Sequence, residues 1–202
     1  MGPMVMCGIL IDEKDEARLK KLGVKDSKLL SPKQRKEMFK DILAIAKSYH
    51  IITITPEQID AALNSPDLNL NWLEAITSAK IINELKPDTA ILDCPSTNIQ
   101  AYTDYVEKFL EVKTKIISEH KADENYPVVS AASIIAKVTR DEEIEKIKKK
   151  YNIQFGSGYP SDPRTKEFIK KEYQKYPEIF RKTWSTYKKI AEGKTQSTLH
   201  TF

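Results

Sequence analysis

Short apolar runs that alternate with longer stretches of helical periodicity constrain this chain more than any other feature. The first run, Met4-Val5-Met6-Cys7-Gly8-Ile9-Leu10-Ile11, is apolar without alternation, the pattern of a strand covered on both faces. Residues 49–55 alternate and are β-branched, 89–92 form a short apolar strand ending at Asp93, and 112–118 alternate again. Between them lie helices. Ser31 is placed as N-cap and Pro32 at the first helical position of a helix over 32–47, with Met38, Phe39, Ile42, Leu43 and Ala46 as its apolar stripe. Further helices are read over 56–63, 70–85, 99–110 and 128–150, the last apolar and small at its start and rich in Lys and Glu at its end. Two more, over 165–176 and 183–192, follow a loop. Strands alternating with helices predict an α/β fold, a mixed or parallel sheet flanked by helices, with a helical C-terminal region.

Composition sets the class. The 202 residues, 40% hydrophobic and 31% charged, suit one α/β domain or a domain with a small appendage. No stretch of about 20 uncharged residues is present, and the N-terminus lacks a signal-peptide pattern. No membrane partner is expected. Cys7 and Cys94 match no disulfide framework or paired metal-ligand spacing, which favours a reduced, cytoplasmic setting. With 33 Lys and Arg against 29 Asp and Glu, attraction to nucleic acid must come from where charges sit.

Four constellations carry candidate chemistry. Asp93 closes a strand, where α/β sheets collect ligands, and is a candidate metal ligand or base; the alternative is an N-cap for the next helix. Glu119-His120-Lys121-Ala122-Asp123-Glu124 reads in isolation as a solvated turn, but Asp123 beside Asp93 would make a carboxylate pair. Such a pair repels unless protonated or metal-bound, and hard oxygen donors point to Mg²⁺ or Mn²⁺ rather than zinc. The loop Gly156-Ser157-Gly158-Tyr159-Pro160-Ser161-Asp162-Pro163 concentrates turn-forming residues around an aromatic, with Arg164 beside it. Tyr159 and Arg164 suit stacking on a base or sugar and a phosphate contact, against an ordinary turn with a packed tyrosine. In the tail, Gln196, Leu199 and Phe202 are spaced as a small apolar plug, or belong to a frayed terminus.

Taken in order, Gly23-Val24-Lys25-Asp26-Ser27-Lys28, Ile91-Leu92-Asp93, His120-Lys121-Ala122-Asp123, the run Tyr126 to Val138, and Gly156 to Thr165 resemble archaeal ribonuclease HII, the type 2 ribonuclease H family, over nearly the whole chain. The resemblance implies a ribonuclease H-like fold and endonucleolytic cleavage of RNA in RNA–DNA hybrids and at single ribonucleotides in duplex DNA. In that family two divalent ions held by four carboxylates activate water and stabilise the leaving oxygen, giving 5′-phosphate and 3′-hydroxyl ends. Asp93 and Asp123 match the third and fourth of those carboxylates. Tyr159 matches the tyrosine that packs on the junction sugar, where the 2′-hydroxyl separates RNA from DNA. Lys28 is matched to a backbone phosphate. The resemblance divides the chain into a catalytic region over 1–150, a helical substrate-binding region over 151–192, and a flexible tail over 193–202 holding a sliding-clamp box on Gln196, Leu199 and Phe202. A monomer is expected.

The resemblance departs at its start. The family opens with a strand carrying Asp-Glu-Ala-Gly-Arg-Gly, which supplies the other two carboxylates and a loop that grips the ribonucleotide, and Met1-Gly2-Pro3-Met4 matches only after it. Asp12-Glu13 repeats the motif superficially but is read as a pair of solvated charges. The expectation is a start assigned too late or a true truncation, with the buried-strand opening favouring the first, and in either case impaired cleavage by this polypeptide and apolar surface left open. A non-catalytic hybrid-binding protein tethered to the clamp is the alternative, and a two-metal nuclease indifferent to the 2′-hydroxyl is a third reading.

Overall fold

A computed structural model describes residues 1–24 and 30–199, with 193–199 described by their backbone. Strand β1 (Met4–Leu10) is followed by a 3₁₀ turn (Glu13–Asp15), α1 (Glu16–Leu22), α2 (Pro32–Ile45), β2 (Ser48–Ile54), α3 (Pro56–Asn64) and α4 (Leu70–Leu85). Next come β3 (Thr89–Asp93), α5 (Ile99–Glu107), β4 (Lys115–Glu119), α6 (Ala122–Asn125), α7 (Pro127–Tyr151), α8 (Pro163–Glu172), a 3₁₀ turn (Pro177–Ile179) and α9 (Ser185–Leu199). The α/β class is as expected.

Local chemistry starts the helices. Ser31 Oγ accepts from the Gln34 amide while Gln34 Oε1 accepts from the Ser31 amide, a reciprocal cap followed by Pro32, and Thr55 with Gln58 repeats it ahead of Pro56. Asn69 and Asn98 cap α4 and α5 the same way from one side. Gly23, at φ +78°, closes α1 in the left-handed conformation that suits glycine.

By its contacts the chain forms two compact units that interleave in sequence, one comprising Met1–Met4, Ile54–Leu68 and Arg140–Phe202, the other Val5–Thr53 and Asn69–Thr139. Among the described residues the strands pair into two two-stranded sheets, β1 with β2 and β3 with β4. β3 and β4 run parallel in a register that sets Thr89 against Lys115 and Asp93 against Glu119. One core of the second unit gathers Leu19, Ile42, Ala131, Ile134 and Ile135 beneath the side chains of Cys7 and Ile9. Another joins Ala75, Ala79 and Ile82 of α4 to Ala90 of β3 and Tyr102 and Val106 of α5. Gly8 lets β1 approach α4: a Cβ there would stand 2.4 Å from Ile81 Cγ2. The first unit is built on Ile144, Ile153, Phe155, Ile169, Tyr173, Ile179 and Phe180.

Several expectations need correction. β1 was expected to be buried on both faces; alternate positions do pack on opposite sides, Cys7 and Ile9 on one core and Gly8 against α4, but each keeps partial exposure. The strand expected from Val112 begins at Lys115, since residues 111–114 are tied elsewhere: Glu111 N–H donates to Asn83 and the Thr114 hydroxyl to the Pro87 carbonyl. α1 and α6 were not anticipated. The last helix, expected over 183–192, spans Ser185–Leu199.

Truncating a buried core side chain should cost more than removing a cap. Ile135→Ala is expected to lower unfolding free energy by about 2–5 kcal/mol, and Ser31→Ala by about 1 kcal/mol. Urea denaturation of both variants checks this, and the reverse order would contradict the placement of Ile135 in the core.

Candidate functional site

The candidate site of the second unit follows from strand register. In the β3–β4 pair Asp93 lies opposite Glu119, and the Cys94 amide carries the ladder one step further by donating to the Glu119 carbonyl at 2.9 Å. Both strands end here. His120 Nδ1 lies 3.0 Å from the Cys94 carbonyl oxygen, which only accepts, so Nδ1 carries the proton. Lys121 then takes a left-handed conformation at φ +56° and turns the chain into α6. That turn aims the Ala122 amide at Asp93, whose Oδ1 accepts from it at 3.2 Å. Asp123 is the next residue, 8% exposed.

Asp93 and Asp123, 30 positions apart in sequence, are thus brought to one place. Asp93 caps no α5 amide: Asn98 does that, accepting from the Ala101 amide at 3.0 Å. The expectation of a solvated turn at Asp123 is corrected, because α6 buries it together with Ala122. Glu119, which the sequence did not single out, fixes the other side of the turn: its Oε1 accepts from the Tyr126 hydroxyl at 2.6 Å. That bond to a carboxylate raises the Tyr126 pKa. Pro127 then opens α7, and the fully buried Ser130 hydroxyl donates to the Val24 carbonyl. Lys28 is outside the described residues.

Asp93 and Asp123 offer hard oxygen donors that fit Mg²⁺ or Mn²⁺. Among the described residues no group of three His, Cys, Asp or Glu side chains stands ready to hold a metal. Asp12, whose carboxylate accepts from Lys47 Nζ at 2.8 Å, and the exposed Glu13 keep the surface role expected of them.

In the first unit the loop after α7 is organised by Asp162. Its carboxylate accepts from the Ser157 amide at 2.7 Å and from the Arg164 amide at 3.0 Å, capping α8, with Arg164 Nε at 3.5 Å. Gly156 is required: a Cβ would fall 2.0 Å from Asp162 Oδ2. Gly158 sits at φ +79° and donates its N–H to the buried Thr165 hydroxyl at 3.0 Å. Tyr159 is displayed at the tip, 38% exposed, over the guanidinium of Arg140. Arg164 reaches outward with an exposed side chain. Gln196 and Leu199 fall on α9, and Phe202 lies outside the described residues.

Arg140 is the residue that sequence reasoning missed. It sits where α7 was read as turning solvated, and nothing in the residue type distinguishes it from the charges that follow.

The chain matches known proteins along its length. A model of the ribonuclease HII family covers residues 1–187. It is 46% identical to the ribonuclease HII of Pyrococcus furiosus, across all of this chain and 92% of that protein. The crystal structure of the ribonuclease H2 from Pyrococcus horikoshii superposes with a TM-score of 0.85 at 43% identity, over 96% of this chain and 92% of that one. The structure of the PCNA:RNase HII complex from Archaeoglobus fulgidus gives 0.81 at 38% identity, over 95% and 89%.

Hydrogen bonds from backbone amides hold the Asp162 carboxyl down to about 2, against 3.8 for an ordinary aspartate. A depressed folded-state pKa makes the contribution of this loop full above about 4 and loses it as pH falls through about 2. Hydrogen-exchange protection at the Ser157 and Arg164 amides, taken relative to the unstructured-chain rate at each pH, should therefore hold down to about pH 4 and fall toward pH 2. In Asp162→Asn protection is expected to be lower at neutral pH and to lose this acid dependence.

Proposed function

The chain belongs to the ribonuclease HII family, whose members are ribonucleases acting on RNA–DNA hybrids, and from that premise we propose a two-metal endonuclease whose site is assembled on Asp93 and Asp123. The bond from the Ala122 amide to Asp93, which sets Asp93 beside the turn that carries Asp123 as its next residue, carries the reading. Like charges so placed repel, and a divalent cation between them offsets that repulsion. Bound there, Mg²⁺ or Mn²⁺ would supply an activated water and charge compensation for the leaving 3′-oxygen.

The chain's own residues hold and aim. The Ala122 N–H fixes one oxygen of Asp93, α6 holds Asp123 out of bulk water, and the Glu119–Tyr126 bond steadies the turn between them. Tyr159 presents a ring face to the sugar at the DNA–RNA junction, so that a 2′-hydroxyl is distinguished from a hydrogen. Arg164 and Lys28 contact phosphates. The substrates on this reading are RNA–DNA hybrids and duplex DNA containing a ribonucleotide, cut to 5′-phosphate and 3′-hydroxyl ends by a cytoplasmic monomer. Residues 1–150 do the chemistry and 151–192 grip the duplex.

These 202 residues carry two of the family's four carboxylates and no Asp-Glu-Ala-Gly-Arg-Gly segment. The interruption of the β-structure into two two-stranded sheets, with β1 and β3 both packed on α4, supports the reading that the strand bearing that segment has no counterpart among them. With fewer ligands an ion is held less rigidly, and a misplacement of about 1 Å costs on the order of 10²-fold in rate.

The tail supports a tether. Gln196, Leu199 and Phe202 have the spacing of a plug that inserts an apolar turn into a groove, and the relative from Archaeoglobus fulgidus is described in complex with PCNA. A sliding clamp is the partner on this reading. Deleting the residues after Glu192 should abolish clamp binding in surface plasmon resonance; unchanged affinity would remove the tether.

Cleavage of duplex DNA with one embedded ribonucleotide, in Mg²⁺ and in Mn²⁺, tests the rest. The 202-residue polypeptide is expected to cut barely or not at all. A version preceded by a strand bearing Asp-Glu-Ala-Gly-Arg-Gly should cut, and Asp93→Asn or Asp123→Asn in that version should slow it by about 10²-fold or more. Binding of the hybrid without cleavage by either version would favour a non-catalytic hybrid-binding protein, and cleavage of all-DNA duplex would favour a nuclease indifferent to the 2′-hydroxyl.

A further inference from the structure

Arg140 is buried, 6% exposed, although it is a charged residue on a helix whose later turns are solvated. Desolvating a guanidinium is costly unless its donors are met and its position is fixed. Here they are met by backbone. Nη1 donates to the Ser157 carbonyl at 2.5 Å and contacts Asp141 Oδ1 at 3.4 Å, and Nη2 donates to the Met1 carbonyl at 3.4 Å. The flat face of the guanidinium lies 3.9 Å from the centre of the Tyr159 ring. A Cβ on Gly158 would fall 2.7 Å from Nη2, so the loop backbone closes onto Arg140 as tightly as a glycine permits.

We propose that Arg140 is the positioning residue for Tyr159: by holding the ring from behind and the Ser157 and Met1 carbonyls at its edge, it sets the plane that the junction sugar meets. One planar group does three jobs at once. A cation behind an aromatic ring fixes its tilt through the ring's negative face, and donors in the guanidinium plane fix the backbone on either side of it. Lysine would keep the charge and lose the plane. Asp162 shapes the same loop from the α8 side, so Tyr159 is determined from both directions. This inference rests on Tyr159 being the sugar-contacting residue.

Two readouts on the full chain keep the levels apart. Arg140→Lys and Tyr159→Leu are compared with the parent by fluorescence anisotropy on two metal-free duplexes, all-DNA and the same duplex with one ribonucleotide, and by hydrogen exchange over residues 156–165. Circular dichroism confirms that each variant is folded. The expected result is faster loop exchange in Arg140→Lys and loss of ribonucleotide preference to the same floor as in Tyr159→Leu, with no further loss in the double variant. Unchanged loop exchange in Arg140→Lys, or preference retained there while Tyr159→Leu loses it, overturns the positioning role. Preference absent from the parent, or retained in Tyr159→Leu, overturns the sugar-contact reading and this inference with it, and is told apart because loop exchange in Arg140→Lys would still rise.

Discussion

The parallel pairing of β3 with β4 is the constraint on which the candidate site depends. Parallel strands fix the relative height of their carboxyl ends, so a register that pairs Thr89 with Lys115 necessarily ends with Asp93 beside Glu119. From that common height each later step is a short one: a left-handed residue at Lys121, an amide at Ala122, a buried carboxylate at Asp123. Slipping the register by one residue would turn every side chain of one strand to the other face and separate the two aspartates. The packing of α4 and α5 on β3 holds the register where it is, with Tyr102 and Val106 closing the core.

The two units hold their functional side chains by the same device. In each, a carboxylate at the mouth of a short turn accepts from backbone amides, Asp93 from Ala122 and Asp162 from Ser157 and Arg164. A side chain that caps a turn orders the backbone around it and is itself ordered in return, which presents the neighbouring residue in one geometry. Asp123 and Tyr159 are those neighbours' counterparts, one held out of water and one displayed to it. The difference suits the roles proposed for them, since a metal ligand would gain from a dry, fixed setting and a sugar-contacting ring would have to be reachable.

Much of the architecture was legible because its signals are local. Ser31-Pro32 and Pro56 announced helices that the structure begins at those prolines, and the apolar spacing of residues 70–85 marked α4 to both its ends. Less legible were elements whose stability is tertiary. α1 is a seven-residue helix whose buried residue is Leu19 alone, and α6 is a single turn, too short for propensity or periodicity to register. The strand at 112–118 was misjudged at its start because Asn83 and Pro87, far back in the chain, claim the segment before Lys115.

By itself the sequence determined the order of strands and helices, the turn chemistry of the loop around Tyr159, the acidic residues Asp93 and Asp123 as a candidate pair, and the family whose motifs they complete. Those follow from patterns with periods of two to four residues and from motifs a few residues long. Only the tertiary structure decided that Asp123 is buried, that the amide before it meets Asp93, and that Arg140 lies beneath Tyr159 rather than in water. The last two join groups 29 and 19 positions apart in the chain. No local pattern encodes such a contact, because its free energy exists only once the strands or helices that bring the partners together have packed.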